Sequence, residues 1–228
     1  MSSRVEPRRI QYGPLNAIEF AGEGPTIVCL HGYGADAADL ASLANEIQVP
    51  GRWLFPEAPL ALDGGPMISS RAWFPIPEEA FEGMNMGRPL DLATQRPPGL
   101  DSAADQLAAF LDAAGGTYAE TFLGGFSQGS MVSLEVVLRQ AQSPAGLFIL
   151  SGTLVDRAAT SDRLQGREPV KIMQSHGEQD AVLPFSGAQA LHQLLTEKGA
   201  FSGELLSFPG GHELPLEALS RLRKFLQG

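Results

Sequence analysis

Short apolar runs that alternate with longer amphipathic ones predict an α/β fold, a mainly parallel central sheet with helices on both faces. The apolar runs, such as "TIVCL" at 26–30, are continuous rather than alternating, as in strands covered on both sides. The amphipathic runs between them are long enough for the right-handed crossovers that parallel strands require.

Taken in order, "RRIQYGPLNAIEF" reads as two strands joined at Gly13-Pro14, an antiparallel N-terminal hairpin. "TIVCL" is the first buried strand. Asp36 or Asp39 is placed to cap a helix that continues to about Ile47. "RWLFPEAP" holds the next strand, ended by Pro56. Residues 60–98 are rich in Gly, Pro and Met and show no clear periodicity. "LDSAADQLAAFLDAAGG" is a helix closed by glycine. "ETFLGGF" is a strand and 128–142 a helix, followed by the strands "AGLFILSG" and "VKIMQSHG". A helix from Pro184 to about Lys198, the strand "GELLSFPGG" and a helix over 214–226 complete the chain. No repeat or linker divides it, so one domain over 1–228 is expected, with 60–98 as a long, lid-like insertion.

Composition narrows the function. The 228 residues are 43% hydrophobic and 18% charged, the balance of a globular chain that can bury a core. A formal charge of −10 argues against nucleic acid, because binding phosphates needs a basic face. No basic amphipathic helix suits an anionic membrane, and no run approaches a span. "MSSRVEPRRIQYG" lacks the apolar core of a signal peptide, so a cytoplasmic location is expected. The single cysteine, Cys29, lies in "TIVCL" and reads as a buried core thiol. No Cys/His spacing suggests a metal, and no cofactor is expected.

The chemistry is written in "LGGFSQGS". Gly125-Phe126-Ser127-Gln128-Gly129 places a serine between a strand and a helix with glycines two before and two after. That is the nucleophile-elbow pattern, in which a tight turn leaves no room for side chains at the glycine positions. A serine hydroxyl needs a base oriented by an acid, and in this topology the chain order is serine, acid, histidine. Of the four histidines, His31 follows the first buried strand and reads as a loop histidine, and His192 lies mid-helix. His176 ends a strand. Only His212 stands downstream of an acid that itself follows a strand, which makes it the candidate base. "SHGEQDAVLP" offers Glu178 and Asp180, of which Asp180 lies deeper in the loop; Glu213 adjoins the base and is expected to point away. The N–H of Gln128, next after the serine, is one expected oxyanion donor. The second should come from the glycine-rich loop "LHGYGAD".

In this order and spacing, "LHGYGAD", "RAWFP", "GFSQGS", "HGEQDAVLP" and "GGHEL" resemble the phospholipase/carboxylesterase family, from about residue 10 to the end. That family of small α/β-hydrolases includes bacterial carboxylesterases and acyl-protein thioesterases. The resemblance implies an α/β-hydrolase fold with Ser127 as nucleophile, Asp180 as acid and His212 as base. It also implies Tyr33 and Gln128 as backbone oxyanion donors and a small acyl ester, thioester or lysophospholipid as substrate. Pairing into a homodimer is common in such proteins. Two positions depart from the family: Tyr33 stands where leucine is common, and Ser130 where glycine or alanine is usual. Met67, Trp73, Phe74, Phe81, Met84 and Met86 could line an acyl pocket or form a lid; Trp73 and Phe74 could equally anchor the insertion on the core. A dienelactone-hydrolase-like or peptidase-like enzyme shares the same triad, and a non-catalytic binding protein is the further alternative.

Overall fold

The computed structural model describes residues 6–62, 69–197 and 199–228. The hairpin forms as expected: β1 (Arg8–Tyr12) pairs antiparallel with β2 (Leu15–Phe20). After β3 (Thr26–Leu30) the single helix expected to Ile47 is two short ones, α1 (Ala37–Ala41) and α2 (Leu43–Ile47). Asp36 caps α1 by accepting the Ala38 N–H, and Asp39 accepts the Asp36 N–H in return, so both candidate caps act together. β4 (Arg52–Pro56) follows.

The 60–98 segment is more regular than its composition suggests. It contains a small antiparallel pair, β5 (Leu60–Ala61) with β6 (Arg71–Ala72), and a helix, α3 (Glu78–Asn85). Next come α4 (Leu100–Ala114), β7 (Thr121–Phe126) and α5 (Gln128–Arg139), which stops short of the expected 142 where Gln140 turns extended. β8 (Gly146–Leu150) leads to α6 (Arg157–Arg163), a helix without a sequence expectation, started by Asp156 accepting the Ala159 N–H. β9 (Val170–Gly177), α7 (Phe185–Glu197), β10 (Phe201–Phe208) and α8 (Leu216–Leu226) complete the alternation.

One 8-stranded sheet runs in the order β1-β2-β4-β3-β7-β8-β9-β10. β4, β3, β7, β8, β9 and β10 are parallel, and β2 pairs antiparallel with both its neighbours. Alternate strand residues feed two cores. Val28, Leu30, Leu147 and Ile149 pack with α4, α5 and α7; Ile27, Cys29, Phe148 and Leu150 pack with α1, α2 and α8. The parallel strands therefore end together along one edge, where α/β sheets place their ligands. Among the described residues no helix is long and apolar enough to cross a membrane.

Cys29 sits within the second core at 1% exposure, and burial pushes its thiol pKa up to about 12. A disulfide-exchange reagent such as DTNB is therefore expected to leave the native protein unlabelled and to label one thiol once urea unfolds it. Rapid labelling under native conditions would contradict this packing.

Candidate active site

At the end of β7 the chain turns sharply into α5, and the turning residue is Ser127. Its backbone lies at φ 53° and ψ −121°, a conformation that costs a non-glycine residue of order 1–3 kcal/mol. The surroundings impose it: the Ser127 N–H donates to the Leu150 carbonyl at 2.8 Å, which ties the turn to β8. The Ser127 carbonyl in turn accepts from both the N–H (3.0 Å) and the hydroxyl (2.7 Å) of Ser130. Ser130, the departure in "GFSQGS", thus braces the first turn of α5. The flanking glycines are steric necessities. A Cβ on Gly125 would come within 2.5 Å of the Leu30 carbonyl oxygen, and one on Gly129 within 2.5 Å of the carbonyl oxygens of both Leu30 and His31.

The loops after β9 and β10 bring the other two candidates to this turn. Glu178 and Gln179 donate their N–H groups to the carbonyls of Phe208 and Gly210, each at 2.9 Å, lacing the two loops together. Gly177 permits that approach, since a Cβ there would lie 2.2 Å from the Gly211 carbonyl oxygen. His212 Nδ1–H donates to Asp180 Oδ2 at 2.7 Å, and the Ser127 hydroxyl donates to His212 Nε2 at 2.8 Å. The network sets this tautomer, because the carboxylate can only accept. The Phe126 ring packs on the imidazole with centroids 4.8 Å apart. Ser151, at φ 50°, donates its hydroxyl to the Glu213 carbonyl at 3.3 Å and so steadies the His212 loop.

The three predicted residues Ser127, Asp180 and His212 are therefore hydrogen-bonded in series. The Asp180 side chain is 0% exposed and that of His212 17% exposed. Asp180 Oδ1 accepts the N–H groups of Val182 (2.8 Å) and Leu183 (2.9 Å). Burial alone would raise its pKa. Hydrogen bonds from His176 and His212, the charge of His212 and the Leu183 N–H outweigh burial and hold the carboxyl well below the usual carboxylate range. Glu178 is exposed, and exposed Glu213 folds back to accept the Gly211 N–H.

The loop after β3 lies against the serine: a Cβ on Gly32 would sit 3.3 Å from the Ser127 Cβ. Among the described residues, no protein acceptor takes up the N–H of Tyr33 or of Gln128. Gln128 directly follows the nucleophile, and Tyr33 directly follows Gly32, which lies against it. His31 behaves as a loop histidine: its Nδ1–H donates to the Gly32 carbonyl at 2.8 Å and its Nε2 accepts the Ala58 N–H at 3.1 Å. Burial lowers its pKa against the upward pull of the Gly32 carbonyl and Asp36. His192 lies on α7, away from this network.

The expected pocket residues divide. Met67 lies outside the described residues. Trp73 is a core anchor at 1% exposure, its indole N–H donating to the His31 carbonyl at 2.9 Å, and so does not face an open pocket. Phe74 is also buried but borders a cavity of about 530 Å³ formed with Pro75, Ile76, Ala80, Leu90 and Leu92. Gln128 has a second role that its position in the sequence does not signal. Besides its N–H, its side chain accepts the Trp73 N–H at 2.8 Å and donates to the Phe74 carbonyl at 2.7 Å. Only the spatial meeting of "RAWFP" with the elbow reveals that grip. Among the described residues no group of three or more His, Cys, Asp or Glu side chains is arranged to hold a metal ion.

Residues 21–228 match the family model described as Phospholipase/Carboxylesterase. A probable carboxylesterase of Oryza sativa subsp. japonica is 30% identical over 213 residues, spanning 88% of this chain and 76% of that protein. Acyl-protein thioesterase 1 of Kluyveromyces lactis is 25% identical over 93% of this chain and 97% of its own length. The crystal structure of SOBER1 from Arabidopsis thaliana superposes with a TM-score of 0.71 at 25% identity, over 89% of this chain and 97% of that one.

The depressed Asp180 pKa carries a pH dependence of stability. A carboxylate with a lowered folded-state pKa stabilises the fold above its unfolded pKa, and that contribution is lost as pH falls toward the folded value. The unfolding free energy of the wild type should therefore exceed that of Asp180→Asn most near about pH 6, the gap narrowing toward about pH 3. Urea titrations across that range measure it; a gap that widened on acidification would contradict the assignment.

Proposed function

The chain belongs to the phospholipase/carboxylesterase family, and from that premise we propose that it is a serine hydrolase of carboxylic esters or thioesters that works through an acyl-enzyme. The observation that carries this reading is the unbroken relay from the Ser127 hydroxyl through both nitrogens of His212 to buried Asp180, with links of 2.8 Å and 2.7 Å.

In the proposed reaction His212 Nε2 takes the hydroxyl proton as Ser127 Oγ attacks the acyl carbon. Asp180 stabilises the imidazolium that forms and keeps its ring oriented. The negative charge that develops on the carbonyl oxygen is received by the N–H groups of Gln128 and Tyr33. The tetrahedral intermediate collapses as His212 gives its proton to the departing alkoxide or thiolate. Water then enters, yields a proton to the same nitrogen and attacks the acyl-serine; as the bond to Oγ breaks and the acid is released, His212 returns that proton to Oγ and restores the hydroxyl. The elbow's backbone geometry keeps Oγ in place throughout, so little reorganisation accompanies attack.

Substrate size is proposed to depend on Tyr33. Its ring packs against Phe81 of α3 with centroids 5.3 Å apart, so an aromatic pair bridges the proposed oxyanion loop and the insertion. That bridge favours short acyl groups.

A fluorophosphonate probe should label the wild type at Ser127 and leave Ser127→Ala unlabelled. Ser127→Ala and His212→Ala should each lower kcat for a p-nitrophenyl ester by about 10⁴–10⁶, Asp180→Asn somewhat less, and Glu178→Gln very little. Labelling that survived Ser127→Ala would refute the reading. In a chain-length series of p-nitrophenyl esters, run beside a lysophospholipid and a palmitoylated peptide, Tyr33→Leu should raise the long-to-short preference in kcat/KM by roughly tenfold. An unchanged preference would remove Tyr33 from substrate selection.

A further inference from the structure

His176 is a second histidine on the same carboxylate. It lies near the end of β9, fully buried, four residues before Asp180. Its Nε2 stands 3.1 Å from Asp180 Oδ2 and 3.0 Å from the Leu183 carbonyl oxygen. Both neighbours can only accept, so this nitrogen carries the ring proton and its N–H is shared between them. Nδ1 is buried and meets no polar partner among the described residues. The ring is held by packing against Phe185 of α7, with centroids 6.1 Å apart, while Gln174 two residues earlier donates to the Ala188 carbonyl of the same helix.

Asp180 Oδ2 thus accepts from two imidazoles, His212 at 2.7 Å and His176 at 3.1 Å, while Oδ1 accepts two backbone N–H groups. Among the described residues the hydrogen-bond partners of the carboxylate are two backbone N–H groups and two imidazoles. The ion pairs among the described residues bring it no lysine or arginine, so its buried charge rests on these four contacts. His212 meets Asp180, the Ser127 hydroxyl and the Phe126 ring.

We infer that His176 is a positioning residue for the hydrolytic site, one that fixes the Asp180 carboxylate and divides its Oδ2 charge between two imidazole donors. It touches no reacting atom and acts through Asp180. By drawing off part of the carboxylate's hydrogen-bonding capacity, it limits how strongly Asp180 holds the protonated form of His212. The role rests on the proposed hydrolase reading and adds to it a residue whose loss alters the base rather than the nucleophile.

The test compares wild type with His176→Phe, which keeps a ring but no donor, and His176→Gln, which can restore an N–H near the same place. Fluorophosphonate labelling of the wild type first establishes the hydrolase reading; its absence would sink that reading rather than this one. His176→Phe should lower kcat by about 10- to 100-fold, the range spanned by a hydrogen bond to a charged group. KM should change little, and the acid limb of the kcat/KM profile should move to higher pH. His176→Gln should recover most of the rate and return the limb. Loss of rate with an unmoved limb, or equal loss in both variants, would overturn the inference and leave His176 a packing residue. If His176→Phe does not fold, proton NMR of the native protein decides. Two downfield imidazole N–H resonances should both shift in Asp180→Asn, and a response from only the His212 resonance would refute the shared carboxylate.

Discussion

The contact on which the site depends is between backbones: the carbonyls of Leu30 and His31, at the end of β3, pass directly over Gly125 and Gly129. No Cβ fits between them, and the chain meets that limit by turning at Ser127 with positive φ. The turn is stabilised by groups that lose their partners if it relaxes. Leu150 of β8 accepts the Ser127 N–H, and Ser130 satisfies the Ser127 carbonyl twice. Parallel pairing of β3, β7 and β8 therefore sets the position of one hydroxyl. The insertion seals the arrangement from the front. Arg71 exchanges backbone hydrogen bonds with Gly34 and Ala35 of the loop after β3, while the Gln128 side chain grips Trp73 and Phe74.

Charge holds the periphery in a similar way. Glu135, buried on α5, accepts from Arg96 of the insertion and Arg163 of α6, at 2.6 Å and 2.5 Å. The helix that begins at the nucleophile is thus pinned farther along to two neighbouring segments. At the opposite edge Glu19 of β2 is paired with Arg8 at 2.8 Å and Arg52 at 2.7 Å, and Arg52 reaches on to the Ala114 carbonyl at the end of α4. Glu19 and Glu135 each have two arginine partners. Removing one partner would leave charge in a poorly solvated place, a far larger disturbance than losing a surface ion pair.

Much of this was legible in the sequence because the signals are local. Continuous apolar runs mark the parallel strands, and the glycines around Ser127 mark the sharp turn. Asp180 and His212 are recognisable because each follows a different strand, and strand ends converge in a parallel sheet. What escaped depends on contacts between distant segments. α3 lies in a stretch broken by Gly and Pro, where no long apolar face signals a helix. α6 has seven residues and little periodicity to read. The second use of Gln128 exists only because residues fifty-odd positions away arrive at its side chain. Trp73 looked equally suited to a pocket or a core, and the choice was settled by the His31 carbonyl that waits for its indole N–H. His176 was visible as a histidine, but its bond to Asp180 appears only once the tight turn at Gly177 folds the loop back.

The way Gln128 holds the insertion has an evolutionary consequence. Its amide bonds to the main chain at positions 73 and 74, and the loop after β3 bonds to the main chain at position 71. Peptide groups are common to every residue type, so most of these moorings survive changes in the side chains they hold. The segment that borders the cavity can therefore be rewritten like an exchangeable cartridge, altering what is admitted while the seat that receives it stays the same. New specificities become reachable in small steps, without passing through a form whose nucleophile is displaced.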